Sequence, residues 1–208
     1  FSMPQFITDF PDLPSRPADG HKGTFGRVVI IAGSHGMAGA AGLAGIAALR
    51  GGAGLVTVAT PATVASIIAI YEPAYMTWPV CDVHGRLSMA SLPELMERLG
   101  AADAAAIGPG IGQSSDLDEL VAELYRSLEI PLVVDADGLN ALAHRTDVLS
   151  TAHPPAARVL TPHPGEFARL SGLSMETIAG NREAVAAAFA AQHGVVVVLK
   201  GQHTVITD

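Results

Sequence analysis

The sequence predicts an open three-layer α/β/α sandwich on a mostly parallel central sheet. Three observations lead there. Runs such as Val28–Ala32 and Val195–Leu199 are apolar at every position rather than every second one, as in a strand covered on both faces. These runs alternate with Ala- and Leu-rich segments at helical spacing, the order of βαβ crossovers. Apolar residues make up 49% of the chain and aromatics only 5%, so the core must be built from Ala, Val, Leu and Ile, which suits helices packed closely on a buried sheet. A chain of 208 residues is long enough for one such domain with a substantial core.

The elements follow in order. Residues 1–20 contain Pro4, Pro11, Pro14 and Pro17 and read as an extended arm, with at most a short helical turn, lying over the domain or reaching a neighbour. The domain occupies 21–208. Arg27–Ala32 is a strand and Gly33–Gly39 a loop. Ala40–Arg50 is an Ala-rich helix. Its glycines Gly39, Gly42 and Gly45 are three apart, and their cost to helix stability implies a close approach to the helix backbone. Gly51–Gly54 ends it, and Leu55–Ala59 completes a right-handed crossover. A helix over Thr63–Ile70 precedes an irregular stretch through Pro73, Pro79 and Cys81. Ser91 caps a helix to Leu99, with Glu94 closing a capping box. Ala104–Ile107 is a strand. Ser115 caps a helix over Asp116–Leu128, and Pro131–Val134 is the next strand. Leu139–His144 is a short helix that Asp137 is placed to cap. An apolar run ends at Leu160, and helical spacing resumes after Gly165 with Phe167 and Leu170. Glu176–His193 reads as one long helix. Val195–Leu199 is the most apolar strand, Lys200–His203 turns it, and Thr204–Thr207 begins another.

Composition excludes several function classes. A formal net charge of −8 argues against nonspecific nucleic-acid binding, though not against a local phosphate pocket. The single cysteine, Cys81, rules out an intramolecular disulfide or a multi-cysteine metal site. No His-x-x-x-His pair suggests zinc. The longest weakly polar stretch, Ala38–Leu49, is Gly-rich, too short to cross a bilayer and followed by Arg50. The N-terminus lacks a basic region followed by an apolar one. A cytoplasmic protein that binds no membrane is expected.

Ligands of open α/β sheets bind beyond the carboxyl ends of the strands. Five strand ends here carry unusual loops, which makes a composite site the better reading than five unrelated turns. In Thr161–Glu166 two prolines stiffen His163; a Pro-rich turn with a helix cap would read the same. Gly33–Gly39 matches neither the dinucleotide fingerprint nor the phosphate loop. Free N–H groups near Met37–Ala40 could still face an anion or a ring. Gly108-Pro-Gly-Ile-Gly112 lets backbone approach a flat ligand. Asp135 and Asp137 suit Mg²⁺ through water, ribose hydroxyls, or simple capping. Lys200, at the mouth of an apolar strand, suits a phosphate as a point charge, with Gly201 and Thr204 adding bonds; a charged residue ending a strand at a hairpin is the plainer reading. Glu166 is a helix cap or a water-mediated metal contact.

Taken together, Lys22–Arg27, Gly33–Ala41, Gly51–Val56, Gly108–Gly112, Val134–Asn140, Leu160–Phe167 and Leu199–Thr204 resemble, in order, the ADP- or ATP-dependent NAD(P)H-hydrate dehydratases of the ribokinase-like superfamily. The resemblance covers nearly all of the chain after residue 20. It implies repair of the hydrated dinucleotides NADHX and NADPHX to NADH and NADPH, with ADP or ATP and Mg²⁺ consumed or required and AMP or ADP plus phosphate released. It places Ala40, Gly110, Gly112, Asp137, Asn140 and His163 on the hydrated dinucleotide. Lys200, Gly201, Gln202, His203 and Thr204 fall on the nucleotide. Glu166 occupies the metal-linked position of a related kinase pattern in which His163 replaces an Asn. It also implies a homo-oligomer, a tetramer among the options, and an epimerase domain or protein as partner. The family's Gly-rich motif with its catalytic Asp would lie beyond Asp208, so the chain as it stands is expected to turn over poorly and to be a fragment or to lack a C-terminal part. The competing readings are a hydroxyethylthiazole-kinase-like small-molecule kinase and a non-catalytic nucleotide-binding module.

Overall fold

The computed structural model describes residues 6–9, 12–13, 15–150 and 154–208. Among them, eight strands form one sheet: β1 Arg27–Ile31, β2 Leu55–Pro61, β3 Met76–Val80, β4 Ala104–Ile107, β5 Leu132–Val134, β6 Arg158–Leu160, β7 Val196–Leu199 and β8 Val205–Thr207. The spatial order is β3-β2-β1-β4-β5-β6-β7-β8. Neighbours are parallel throughout except β7 and β8, which are antiparallel. The helices are α1 Ala38–Arg50, α2 Ala62–Ala69, α3 Leu92–Leu99, α4 Ser115–Ser127, α5 Asp137–His144, α6 Thr146–Ser150, α7 Pro164–Ser171, α8 Met175–Gly180 and α9 Arg182–His193.

Alternation along β1 explains the layers. Ile30 enters one buried cluster with Ala41 of α1 and Val64 and Ile68 of α2. Its neighbour Ile31 enters the other, with Leu120 of α4, Leu139 of α5, Phe167 of α7 and Ala186 of α9. Successive strand residues point to opposite faces, so a strand apolar at both is one covered on both, and the expected three-layer sandwich is what forms.

Local readings needed correction where tertiary contacts intervened. The stretch taken as irregular contains β3, an edge strand pairing with β2 through Thr57↔Met76 to Pro61↔Val80. Pro79 is tolerated because an edge strand has one side without a partner. The long C-terminal helix is broken: α8 stops at Gly180, and Asn181, at φ −144° and ψ 40°, separates it from α9. Ser91 does not box with Glu94. Its hydroxyl donates to the Cys81 carbonyl at 2.9 Å and accepts from the Ser88 N–H at 3.1 Å, while Glu94 accepts from the Trp78 indole at 2.8 Å. Ser114 rather than Ser115 caps α4. The close approach to α1 comes from side chains: a Cβ on Gly42 would lie 2.9 Å from Tyr71, and one on Gly45 2.8 Å from Val58 and 2.9 Å from Tyr75.

The arm's residues 1–5, 10, 11 and 14, including Pro4, Pro11 and Pro14, lie outside the described residues. Residues 15–20 run over the domain. The Arg16 guanidinium donates to the Gly52 carbonyl and stacks 4.1 Å over the Phe25 ring.

Arg158, which opens β6, is fully buried. It donates to the carbonyls of Tyr125 (2.9 Å), Leu128 (2.6 Å) and Ile130 (3.1 Å), and to those of Ala156 (3.0 Å) and Ala157 (3.3 Å). It thereby supplies donors at the C-terminal end of α4, where carbonyls lack helical partners. Beneath it the Tyr125 hydroxyl is buried and has no hydrogen-bond partner among the described residues. Burial pushes its pKa up to about 12, against a smaller lowering by Arg158. Between the ordinary value of 10.0 and about 12 the unfolded chain has lost a proton that the native chain keeps, so stability falls as pH rises through that window. Tyr125→Phe is expected to leave stability at neutral pH unchanged or slightly higher, since it removes an unpaired polar atom. It should also flatten the alkaline loss. Urea titrations of both proteins across this pH range check the prediction; parallel curves would refute it.

Candidate functional site

The site is built where the chain reverses direction across the sheet. β1 leads to β2 on one side, and β4 lies on the other, so the crevice at the carboxyl ends of β1 and β4 is a topological switch point. The loops after β1, β4, β5, β6 and β7 come from five strands adjacent in the sheet, and they are cross-linked in sequence along the edge.

At the switch point Gly33 N–H donates to the Pro109 carbonyl at 2.9 Å. The buried Ser34 hydroxyl donates to the Gly110 carbonyl at 2.8 Å. Gly110 presses on α1: a Cβ there would lie 2.9 Å from the Ala40 Cβ and 3.0 Å from Met37. The chain at Gly108 adopts φ +125°, and a Cβ would fall 1.8 Å from the Asp135 carbonyl oxygen, so only glycine fits.

The next link is made by two aspartates facing different ways. Between them Ala136 has φ 50° and ψ −119°, a region costly for a non-glycine residue and found where a structure holds functional groups. Asp137 does not cap its helix, which starts at Asp137 itself. Its carboxylate instead accepts from the Gly112 N–H at 3.0 Å and from Gln113 Nε2 at 3.4 Å, which fixes the glycine loop. Asp135 turns toward the following strands. Its Oδ1 accepts from the Thr161 hydroxyl at 2.8 Å and from Lys200 Nζ at 2.5 Å. Lys200 N–H donates to the Pro162 carbonyl at 2.8 Å.

His163 and Glu166 form a reciprocal cap on α7. His163 Nδ1 accepts from Gly165 N–H at 3.0 Å and Glu166 N–H at 3.3 Å, and the His163 N–H donates to Glu166 Oε2 at 2.8 Å. An accepting Nδ1 leaves the ring proton on Nε2, 3.4 Å from Glu166 Oε1. The cap leaves the His163 side chain 53% exposed, whereas that of Glu166 is only 7% exposed. Asn140 accepts from Arg169 Nε at 2.9 Å on the same side.

After β7, Gly201, Gln202, His203 and Thr204 form an exposed turn closed by the Thr204 hydroxyl on the Gly201 carbonyl at 3.2 Å. Arg182, not singled out by sequence, holds it: Nη2 donates to the carbonyls of Leu199 (2.9 Å), Lys200 (2.9 Å) and His203 (3.4 Å). A groove of about 440 Å³ lies beside the turn, lined by Gly180, Asn181, Arg182, Glu183, His203 and Val205. A smaller hollow of about 170 Å³ at the opposite edge is lined by strand starts such as Arg27 and Leu55 and by Arg98 of α3. Arg86 is a second residue that the sequence offered no signal for; it lies against Gly112.

The carboxylates are committed to protein donors: Asp135 to Lys200 and Thr161, Asp137 to the glycine loop, Glu166 to His163. Among the described residues no three metal-ligating side chains converge. This arrangement does not fit a divalent ion held by protein groups alone.

A family model described as NAD(P)H-hydrate dehydratase matches residues 28–208. The chain is 47% identical over 195 residues to the bifunctional NAD(P)H-hydrate repair enzyme Nnr of Moorella thermoacetica, an alignment covering 93% of this chain and 36% of that protein. It is 37% identical over 194 residues to the ADP-dependent (S)-NAD(P)H-hydrate dehydratase of Bacillus subtilis, covering 93% and 64% respectively. Among solved structures, the ADP/ATP-dependent NAD(P)H-hydrate dehydratase from Bacillus subtilis co-crystallized with ATP/Mg²⁺ aligns with a TM-score of 0.74 at 33% identity, over 94% of this chain and 65% of that one. The chain thus spans about a third of the length of the bifunctional relative (36%) and just under two thirds of the dehydratase (64%).

Proposed function

The chain belongs to the NAD(P)H-hydrate dehydratase family, and from that premise we propose that it forms the ADP- or ATP-dependent dehydratase site that returns NADHX and NADPHX to NADH and NADPH. The observation that carries this reading is the row of five cross-linked loops on adjacent strands. It offers glycine backbone at one end, and an imidazole beside a lysine with a held turn at the other. Phosphoryl transfer from the nucleotide to the hydroxyl on the hydrated ring makes that oxygen a good leaving group. Loss of phosphate then restores the dihydropyridine. Positioning and charge around the moving phosphoryl group are the protein's main contributions.

In this reading Lys200 meets the donor's phosphates as a point charge, and Gly201, Gln202, His203 and Thr204 contact the nucleotide on a turn that Arg182 holds. Ala40, Gly110 and Gly112 give the hydrated dinucleotide a close backbone surface. Asp137 fixes Gly112, Asn140 lines the cleft, and His163 presents Nε2–H to the substrate. Mg²⁺ arriving with ADP or ATP would be held chiefly by the phosphates and water; no step is routed through it. An epimerase activity as partner, a homo-oligomer and a cytoplasmic location complete the proposal. Leu43, Ile67 and Ile70 give α1 and α2 an exposed apolar face, and among the described residues no helix is long and apolar enough to cross a membrane.

Incubation of the full-length protein with NADHX and ADP or ATP tests the reading. Recovery of dihydropyridine absorbance with equal release of phosphate is expected, whereas a stable phosphorylated product would identify a kinase and nucleotide binding without turnover a binding module. His163→Ala should raise the KM for the hydrate about tenfold, the size of one lost hydrogen bond, with little change in kcat. A fall in kcat alone would contradict its role as a substrate contact.

A further inference from the structure

Among the described residues, three arginines make no side-chain hydrogen bond or ion pair: Arg27, Arg50 and Arg86. The rest are engaged, Arg98, Arg126 and Arg145 with carboxylates and Arg16, Arg158, Arg169 and Arg182 with carbonyl or amide oxygens. Arg27 opens β1 and Arg50 closes α1, which places both at the amino edge of the sheet. Arg86 alone of the three stands at the carboxyl edge, over the switch point.

Its position is held by the backbone around it. Val83 and Arg86 pair as an antiparallel bridge. The Asp82 carboxylate accepts from Gly85 N–H at 2.9 Å and Thr63 N–H at 3.0 Å, so it is occupied by amides rather than by the guanidinium. The Gly85 carbonyl accepts from His35 N–H at 2.9 Å, which docks the hairpin on the loop after β1. The arginine stem lies on the loop after β4: a Cβ on Gly112 would be 3.2 Å from Arg86 Nε and 3.6 Å from its Cδ. On the other side of Gly112 the Asp137 carboxylate is bound to the Gly112 N–H. An unneutralised guanidinium is thus laid across the mouth of the crevice, in a protein whose net charge is −8.

We propose that Arg86 is a substrate-binding residue that takes a phosphate of the dinucleotide at the switch-point crevice, either the pyrophosphate or the 2′-phosphate. The proposal rests on the dehydratase reading. A planar guanidinium with free donors recognises phosphate oxygens two at a time.

Steady-state kinetics of the full-length protein with NADHX and with NADPHX decide it, for wild type, Arg86→Gln, Arg86→Lys and Arg50→Gln. Arg86→Gln should raise KM about tenfold with kcat kept, matching the loss of a charge-assisted bond. A rise for both substrates places the pyrophosphate on Arg86; a rise confined to NADPHX places the 2′-phosphate there. Arg86→Lys should recover part of the loss, and Arg50→Gln, an equal change of charge at the other edge, none. Unchanged KM for both substrates, a fall in kcat alone, or the same effect from Arg50→Gln would overturn the proposal. Full-length wild type without turnover of either hydrate would instead overturn the dehydratase reading, and binding of ADP-ribose and its 2′-phosphate by calorimetry would then still test Arg86, with equal affinities for wild type and Arg86→Gln refuting it.

Discussion

Arg158→Met is expected to cost the fold about 3 kcal/mol or more, because it strips the guanidinium from five carbonyls, of which that of Ala157 keeps the Leu132 N–H as a donor at 3.0 Å. Each buried acceptor left without a donor costs about 1–3 kcal/mol, less where water can enter. A methionine keeps the length and apolar stem but supplies no donor. The effect crosses elements, since these carbonyls lie at the end of α4, in the turn before β5 and just ahead of β6. For a domain whose whole stability is of the order of 5–15 kcal/mol, this is a large fraction. Arg158→Lys should recover less than half, because an ammonium has three donors and no planar fork to span separated carbonyls. Urea denaturation followed by far-UV circular dichroism measures it. A loss below about 1 kcal/mol would mean that water replaces the guanidinium.

Lys200→Met should lower kcat/KM for the nucleotide by about a hundredfold, close to 3 kcal/mol of transition-state stabilisation. The fold should barely notice, because the Lys200–Asp135 pair is partly exposed, at 44% and 32% for the two side chains, and such pairs contribute about 1 kcal/mol or less. This separation makes the test informative: unchanged melting with a large kinetic loss assigns the lysine to the ligand. Lys200→Arg keeps the charge but not the compact ammonium, and should restore only part of the rate. Activity within threefold of wild type in Lys200→Met would remove Lys200 from the site.

Much of this arrangement was legible in the sequence because its signals are local. Apolar runs ending in Gly, Asp, Thr or Lys marked β1, β4, β5, β6 and β7 and their loops, and the resemblance supplied roles for residues within them. Where only tertiary packing decides, the signals were missing. Met76-Thr-Trp-Pro-Val80 carries a proline, and nothing local says that it lies on a sheet edge. Asn181 interrupts a pattern whose apolar spacing continues on both sides. Arg158 reads as a charged residue at the rim of a strand; its burial depends on carbonyls up to 33 residues away. Arg182 and Arg86 belong to no motif, and each meets the site only after the chain has folded back over 17 to 26 positions to reach Leu199 and Gly112.

The adjacency of β1, β4, β5, β6 and β7 has a metric consequence. Strands repeat about every 4.8 Å across a sheet, so the loop after β1 and the loop after β7 stand four intervals, about 19 Å, apart. Sheet pitch acts here as a ruler with its marks at the loops. On the proposed reading, two substrates that meet head to head would share that span, lying across the strands rather than along them. Substitutions within the strands leave the scale untouched, whereas one residue inserted into a loop can shift its mark by up to about 3.5 Å. Evolution or design of altered substrate reach in this fold would therefore proceed through loop length.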